Sequence, residues 1–551
     1  MGLESMRNTR KLAAVAAIAA LTAASLAACG SSKRETTAPT SSGGSTSPTD
    51  GTATLKDAAS ILAAAGVATP VTLSLQYNPD HYGDSSDQEY GLIKQQLEAT
   101  GLFKVELQST EWTTYAVQRV DDYPLYQLGW YPDFPDPDNY LTPFFEKENF
   151  LVNRFDDATV QALLAKERTD TNPETRAATI EETQVELAKH LSTLPLLQGR
   201  LVSVASTAMT GVEETMDASF QLRFPLLQKD GDPNAIVKIG TTDKVTALDP
   251  AYSYDNASYL VQYNVYPMLM AFKPGEVTPQ PEMAESCEFS ADGMQLTCKL
   301  RQGLKWANGH TLDSADVKFT YDRQQVIADP NGPSSLLANL ESTEAPDPYT
   351  VVFNLKSPND VTFTQVLASP VGPIVDDEVF SATEITESDA IVAANAFAGP
   401  YRIVSFEINE VVEYEAYSGY SGIQPAPQNG GIVMTYYKES NNMRLDIESG
   451  EIDVVWRSLT ATDYEALEQV DTLKVLYGPG GEIRYIVFNL ETMPGDTPEQ
   501  KLAIRQAIAA SIDRTALSEE VYKGTYMPLC SYVPDGLPGA NKAVCDAYGG
   551  E

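Results

Sequence analysis

The residue types able to do chemistry concentrate in positions 126–145, YQLGWYPDFPDPDNYLTPFF. Leu125, Tyr126 and Leu128 read as a short apolar strand, which then breaks at Pro132, Pro135 and Pro137. Proline fixes φ and removes a backbone donor, so this segment must leave the sheet. Three acids, Asp133, Asp136 and Asp138, share the loop with Trp130, Tyr131, Phe134, Tyr140, Phe144 and Phe145. A rigid loop at a strand end, with aromatic faces and a carboxylate, suits a partly apolar ligand bearing a cationic group. The same residues also describe an acidic surface turn with packed aromatics. A hydrolase would need paired carboxylates, Asp133 with Asp136 or Glu146. Against that, no nucleophile elbow or metal motif accompanies them. The 3 histidines, His81, His190 and His310, are scattered, so neither a metal site nor a cofactor is expected.

The loop needs a scaffold, and 551 residues exceed what one core supports, so two or three lobes are expected. Before the loop, 56–66 reads as a helix, 71–75 as a strand, 86–100 as an amphipathic helix and 104–108 as a strand. After it come helices over 157–166 and 173–191 and a buried strand at 193–198. This alternation describes an open α/β lobe. Residues 229–234 (KDGDPN) form a polar joint, after which the character changes. Strands are expected at 235–240, 349–355, 450–455 and 484–489, with a hairpin over 399–406 and 411–417. Helices are expected at 259–270, from Asp313 to near Arg323, at 441–448 and at 500–512. A net charge of −38 argues against nucleic acid and against anionic membrane surfaces as partners.

At the start, Arg7, Arg10 and Lys11 precede an uncharged apolar run over 12–28. That is the pattern of an export signal, too short for a stable membrane span. Leu26-Ala27-Ala28-Cys29-Gly30 resembles the lipobox of bacterial lipoproteins, with Cys29 as the lipidated residue; a plain secretory signal is the alternative. Residues 1–29 would be the signal and 30–54, rich in Ser, Thr, Gly and Pro, a flexible tether. Of 5 cysteines, four remain beyond Cys29. Cys287 and Cys298 flank two alternating segments around an Ala-Asp-Gly turn, and Cys530 and Cys545 flank a Pro/Gly-rich loop. Two local disulfides are the simplest pairing for an exported chain, each contributing about 2–3 kcal/mol; four free thiols are the alternative.

Many short segments together resemble the large solute-binding lipoproteins of ABC importers, the oligopeptide- and dipeptide-binding family 5. They include Leu248-Asp249-Pro250, Leu300-Arg301, Trp306-Ala307-Asn308-Gly309, Ala315-Asp316-Val317 and Gly399-Pro400-Tyr401. Further matches are Gly450-Glu451-Ile452-Asp453, Phe488-Asn489, Arg505-Gln506-Ala507-Ile508 and Ile512-Asp513-Arg514, with Gly129-Trp130 to Asp136-Pro137-Asp138-Asn139 as the ligand loop. The resemblance implies an α/β, two-lobed periplasmic-binding-protein-like fold of type II with an extra domain, closing by a hinge. One departure is large: the portion 235–551 comes first in the family and 55–228 second, so this chain reads as circularly permuted. The ligand-loop lobe would then be 55–205 plus 489–551, the large hinge lobe 206–280 plus 398–488, and the extra domain 281–397.

By the same resemblance, the aspartate matching Asp133 holds a peptide ammonium, and backbone near Gly129 to Tyr131 pairs with the peptide. Trp130, Tyr131 and Tyr82 would wall the pocket, with Tyr254 and Asn256 contributed by the opposite lobe. Dipeptide-specific relatives clamp the peptide carboxylate with an arginine in the loop matching 78–84 (NPDHYGD), which here has none. Arg457 and Arg484 remain distant candidates, read as structural. The expectation is therefore a non-catalytic, monomeric receptor, lipid-anchored outside the cell membrane. It would deliver a peptide or cationic peptide-like solute to ABC permease subunits. A carboxylate-dependent hydrolase, or a binding protein no longer coupled to transport, are the rival readings.

Overall fold

The computed structural model describes residues 52–547 except Asp84, Phe220, Asn359 and Ser458. The expected export signal, Cys29 and nearly all of the tether lie outside the described residues.

Strand-forming runs assemble into two large mixed sheets, giving the α/β class expected. The first has six strands in the spatial order Phe103–Ser109, Val71–Tyr77, Leu125–Trp130, Ile483–Phe488, Thr193–Gly199, Tyr526–Pro528. Val71–Tyr77 runs parallel to both its neighbours, while Ile483–Phe488 is antiparallel to the strands beside it. Every residue of Ile483–Phe488 is buried, Arg484 included, as a central strand covered on both faces requires. The second sheet has seven strands in the order Tyr401–Glu407, Val411–Ala416, Gly431–Tyr436, Ile236–Thr241, Val454–Trp456, Leu201–Ser206, Leu473–Gly478.

Three cores result. Helices Thr52–Ala64, Ser85–Ala99, Pro173–His190 and Pro498–Ala509 place Leu62, Ile93, Leu187 and Ile504 in the core of the six-stranded sheet. One face of the seven-stranded sheet shares a core with a four-stranded antiparallel sheet built from Ala284–Phe289, Gln295–Leu300, Thr350–Leu355 and Leu340–Asp347. Val204, Met443, Val455 and Tyr464 form a smaller cluster on the other face. A capping box between Asp313 and Asp316 starts the helix Ser314–Ile327 beside the small sheet. Both expected disulfides are present: Cys287 and Cys298 are directly opposed strand residues with Cα atoms 4.0 Å apart, and Cys530 bonds Cys545.

The two large sheets are joined by two adjacent crossings. Thr193–Gly199 passes through Arg200 into Leu201–Ser206, and Leu473–Gly478 passes through 479–482 into Ile483–Phe488. The Gly199 N–H donates to the Glu482 carbonyl at 2.8 Å. A Cβ on Gly480 would stand 1.8 Å from the Gly199 carbonyl oxygen, so only glycine lets the crossings touch.

These crossings shift the boundaries expected from sequence. Ile483–Phe488, assigned to the large lobe, is a central strand of the ligand-loop sheet, and Leu201–Ser206, assigned to the loop lobe, belongs to the other. The β-branched, largely apolar character of both segments reports burial but not which sheet does the burying. The aromatic helix is Asn256–Val265, shorter than expected, with Met270 in a strand, and the strand near 450–455 is confined to Val454–Trp456. Gly450 takes φ +80° at the preceding helix end and delays that strand. Residues 229–234 form the expected tight turn, with Asp230 and Gly231 both at positive φ.

Candidate functional site

Strand Leu125–Trp130 ends at the proline-rich loop, which turns into the helix Asp138–Phe145. Asn139 in the helix's first turn organises that loop. Its side-chain oxygen accepts from the Trp130 indole N–H at 3.0 Å and from the Asp133 backbone N–H at 2.9 Å. Its amide donates to Asp133 Oδ2 at 3.0 Å. Trp130 lies edge-on to Phe144, with centroids 5.0 Å apart, so its ring packs on the helix. Asp136 accepts the Asp138 N–H at 2.9 Å, and Arg176 donates to both Asp136 oxygens at 2.7 and 2.8 Å. That engagement fixes Asp136 as a loop anchor.

The loop reaches both cores. Phe134 is buried in the core of the seven-stranded sheet, although its flanking strand belongs to the six-stranded one. From the far side, the Tyr254 hydroxyl donates to Asp133 Oδ1. Tyr254 precedes the helix Asn256–Val265, which Asp255 caps by accepting the Ser258 N–H at 2.8 Å. Asp133 and Tyr254 therefore meet where the two lobes face each other, while Asn256 is exposed at the helix start.

Among the described residues Asp133 pairs with no cation. Burial raises its pKa above 3.8, with the hydrogen bonds from Asn139 and Tyr254 pulling it back. A folded-state pKa above the unfolded one means the folded protein holds this proton more tightly. That contribution to stability falls as pH rises from about 3.8 through the raised value. A carboxylate has about four acceptor positions, and these two side chains use two of them.

Gly129 packs closely: a Cβ there would sit 3.1 Å from the Tyr82 ring, which would have to give by a few tenths of an ångström. The Tyr82 carbonyl accepts from Arg484 at 2.8 Å, and Arg484 also donates to the Tyr522 and Tyr526 hydroxyls at 2.9 and 3.1 Å. Glu482 and Glu89 pair with it at 3.1 and 3.4 Å. Arg484 is saturated and structural.

A cavity of about 200 Å³ lies at the two crossings, lined by Tyr131, Arg200, Arg457, Tyr464, Glu482 and Tyr526 among others. The Arg457 guanidinium stands 5.4 Å from the Tyr131 ring centroid. Of the residues expected at the ligand, Tyr131 lines this cavity, whereas Asp133, Tyr254, Gly129, Trp130, Tyr82 and Asn256 are not among its lining residues; Asp133 and Tyr254 bond each other instead. Sequence reading missed Asn139 and Arg176 as organisers and the position of Arg457. Asn139 lay inside the Asp-Pro-Asp-Asn segment, where an Asx residue at a helix start is itself a signal.

The glutathione-binding protein GsiB of Pectobacterium atrosepticum is 27% identical over 307 residues, covering 55% of this chain and 56% of that protein. The probable D,D-dipeptide-binding periplasmic protein DdpA of Escherichia coli K12 is 25% identical over 312 residues, covering 56% and 58%. The chain thus spans a little over half the length of these curated relatives. Among solved structures, the oligopeptide-binding protein AppA of Bacillus subtilis, in complex with a nonapeptide, aligns at 20% identity with a TM-score of 0.38, covering 44% of this chain and 47% of that one. Residues 23–151 and 278–548 match the model for bacterial extracellular solute-binding proteins, family 5. With well over half its length matched, the chain belongs to that family.

Proposed function

We propose that this protein is the extracytoplasmic receptor of an ABC importer, binding a peptide or cationic peptide-like solute between its two lobes and doing no chemistry on it. The observation that carries the reading is Asp133: a half-buried carboxylate paired with no cation among the described residues and touched by Tyr254 from the opposite side. An ammonium group is the complement such a site lacks. Family membership and the binding activities named for GsiB and DdpA support the same reading. The hydrolase alternative loses support because Asp136, the nearest acid in sequence, is engaged by Arg176.

Native mass spectrometry of the purified protein, followed by calorimetry with the co-purifying solute, tests this directly. Asp133→Ala should weaken an ammonium-bearing solute at least tenfold, since truncating one partner of a desolvated charge pair costs about 2–5 kcal/mol. Because the ammonium favours the ionised carboxylate, wild-type binding should release protons and tighten as pH rises through the raised Asp133 pKa. Unchanged affinity in Asp133→Ala, or pH-independent binding, would remove the assignment; turnover of the solute would remove the receptor reading.

The remaining parts of the proposal concern anchoring and order. Cys29 is proposed to carry the lipid, 30–54 to act as tether, and the receptor to work as a monomer with permease subunits. Cys29→Ser should move the protein from the membrane pellet to the soluble fraction, and continued sedimentation would refute the anchor. The lobes are proposed to derive from a circularly permuted order. In support, the six-stranded sheet draws strands from both 71–199 and 483–528, and helix Thr52–Ala64 packs on Pro498–Ala509. Permutation is tolerated where the joined ends lie close and the new ones fall in exposed segments.

A further inference from the structure

Away from the ligand loop, Asp157, Glu186 and His190 converge at the open end of an αα-hairpin built from helices Ala158–Thr169 and Pro173–His190. Residues 170–172 alone separate the helices, so the start of the first lies beside the end of the second. Asp157 caps that start, its Oδ1 accepting the Thr159 and Val160 N–H groups at 2.9 and 3.0 Å. Glu186 and His190 lie one turn apart at the end of the second helix, on the same face. Lys189 donates to Glu186 Oε2. These bonds leave Asp157 Oδ2 and Glu186 Oε1 over.

The leftover atoms surround an imidazole nitrogen. Each of the three residues offers one ligand atom within 4.8 Å of the other two, and His190 Nε2 stands 3.5 Å from Asp157 Oδ2 and 3.8 Å from Glu186 Oε1. Both separations exceed hydrogen-bond length, and Nε2 is shielded from solvent with no hydrogen-bond partner. A polar atom held out of water without a partner costs free energy that a bound ion would offset. Ligand atoms placed tetrahedrally at about 2.1 Å from a common centre would stand roughly 3.4 Å apart, close to the spacing found. The ring is held in place: Phe155 packs edge-on with centroids 5.5 Å apart, and the His190 carbonyl accepts from Arg505 Nε and Nη2 at 3.2 and 2.8 Å. The side chains of His190, Asp157 and Glu186 are 34%, 26% and 21% exposed, which gives an ion a path in from solvent.

We propose that Asp157, Glu186 and His190 form a binding site for a divalent ion of the zinc type, separate from the ligand loop. One imidazole nitrogen and two carboxylate oxygens suit zinc, with water in the fourth position. Calcium and magnesium take oxygen ligands, so the imidazole selects against them. Bound there, the ion would clasp the hairpin whose Arg176 holds the ligand loop through Asp136. The inference stands independently of the solute that the lobes bind.

The test titrates zinc chloride into the untagged full chain, first stripped with a chelator, by calorimetry, with thermal unfolding read alongside. Wild type should bind one zinc ion saturably, and its thermal transition should rise as zinc is added. His190→Ala should weaken that binding at least about tenfold, since loss of even an outer partner of a metal ligand costs about 10–100-fold. Asp157→Asn keeps a helix cap while losing the anionic ligand atom, and should weaken zinc as much without lowering the metal-free transition. Glu186→Gln should act in the same direction, whereas His81→Ala and His310→Ala should retain the site. Absence of saturable zinc binding, binding that survives in all three site variants, equal loss in His310→Ala, or displacement of zinc by an equal concentration of calcium overturns the proposal. The three groups would then be an imidazolium between two carboxylates and nothing more.

Discussion

Asp249→Ala should lower the thermal transition of the larger core by roughly 6–20 °C, the equivalent of about 3–5 kcal/mol for a unit of this size. Asp249 and Arg323 are 0% and 2% exposed and meet in a two-pronged pair, with Nη1 to Oδ1 at 2.8 Å and Nη2 to Oδ2 at 2.5 Å. The carboxylate also accepts the Ala251 and Thr386 N–H groups at 2.9 and 2.7 Å. The guanidinium donates to the Ser381 and Glu384 carbonyls at 2.5 and 2.9 Å. Removing the carboxylate leaves a buried cation facing only dipoles, and the desolvation that the pair had offset then appears in full. The double variant Asp249→Ala/Arg323→Met should recover part of the loss, because an apolar pair of similar volume needs no solvation. A loss under 1 kcal/mol in the single variant, or a double variant that loses the sum of both singles, would show that the pair does not act as one buried unit.

That pair marks what the sequence conveys. Leu248-Asp249-Pro250 was readable as a motif, and the helix carrying Arg323 as a capped helix, but the 74-residue separation between the partners hid their contact. Local features transfer well from sequence to structure for a physical reason. The hairpin of Cys287 and Cys298, the helix starts near Asp157, Pro173 and Asp313, and the proline break after Trp130 are each settled within a few residues. Lobe membership is not settled locally. Ile483–Phe488 and Leu201–Ser206 are both largely buried, largely apolar strands, and the sheet each joins depends on crossings that the side-chain pattern does not encode. The cavity was illegible for the same reason: Tyr131, Arg200, Arg457 and Tyr526 converge from four distant parts of the chain. Arg457 looked structural beside an apolar strand, and its left-handed backbone, visible only in three dimensions, is what sets it at the cavity.

Arg176→Ala should produce the second large effect, about 3–5 kcal/mol of stability lost together with solute binding. Arg176 joins the loop to two helices. It pairs with both Asp136 oxygens from helix Pro173–His190, and meets Glu167 of helix Ala158–Thr169 at 2.9 Å. The exposure of the three side chains, 14%, 5% and 0%, places the cluster in protein rather than water. Without the guanidinium, two carboxyl groups would remain buried and unpaired beneath the loop that presents Asp133 and Tyr131. Glu167 gives this prediction a sign in pH. Burial and the neighbouring Asp138 raise its pKa, while Arg176 lowers it, so deleting Arg176 raises it further. With its pKa already raised to about 10, Glu167 keeps its proton at neutral pH, so its share of the stability deficit should appear only as pH rises through about 10 and be absent below that. Urea titrations of wild type and Arg176→Ala at several pH values, with solute affinity measured alongside, would read both effects. A deficit that grows on acidification, or an affinity that survives while stability falls, would mean that Arg176 does not hold the loop in its binding geometry.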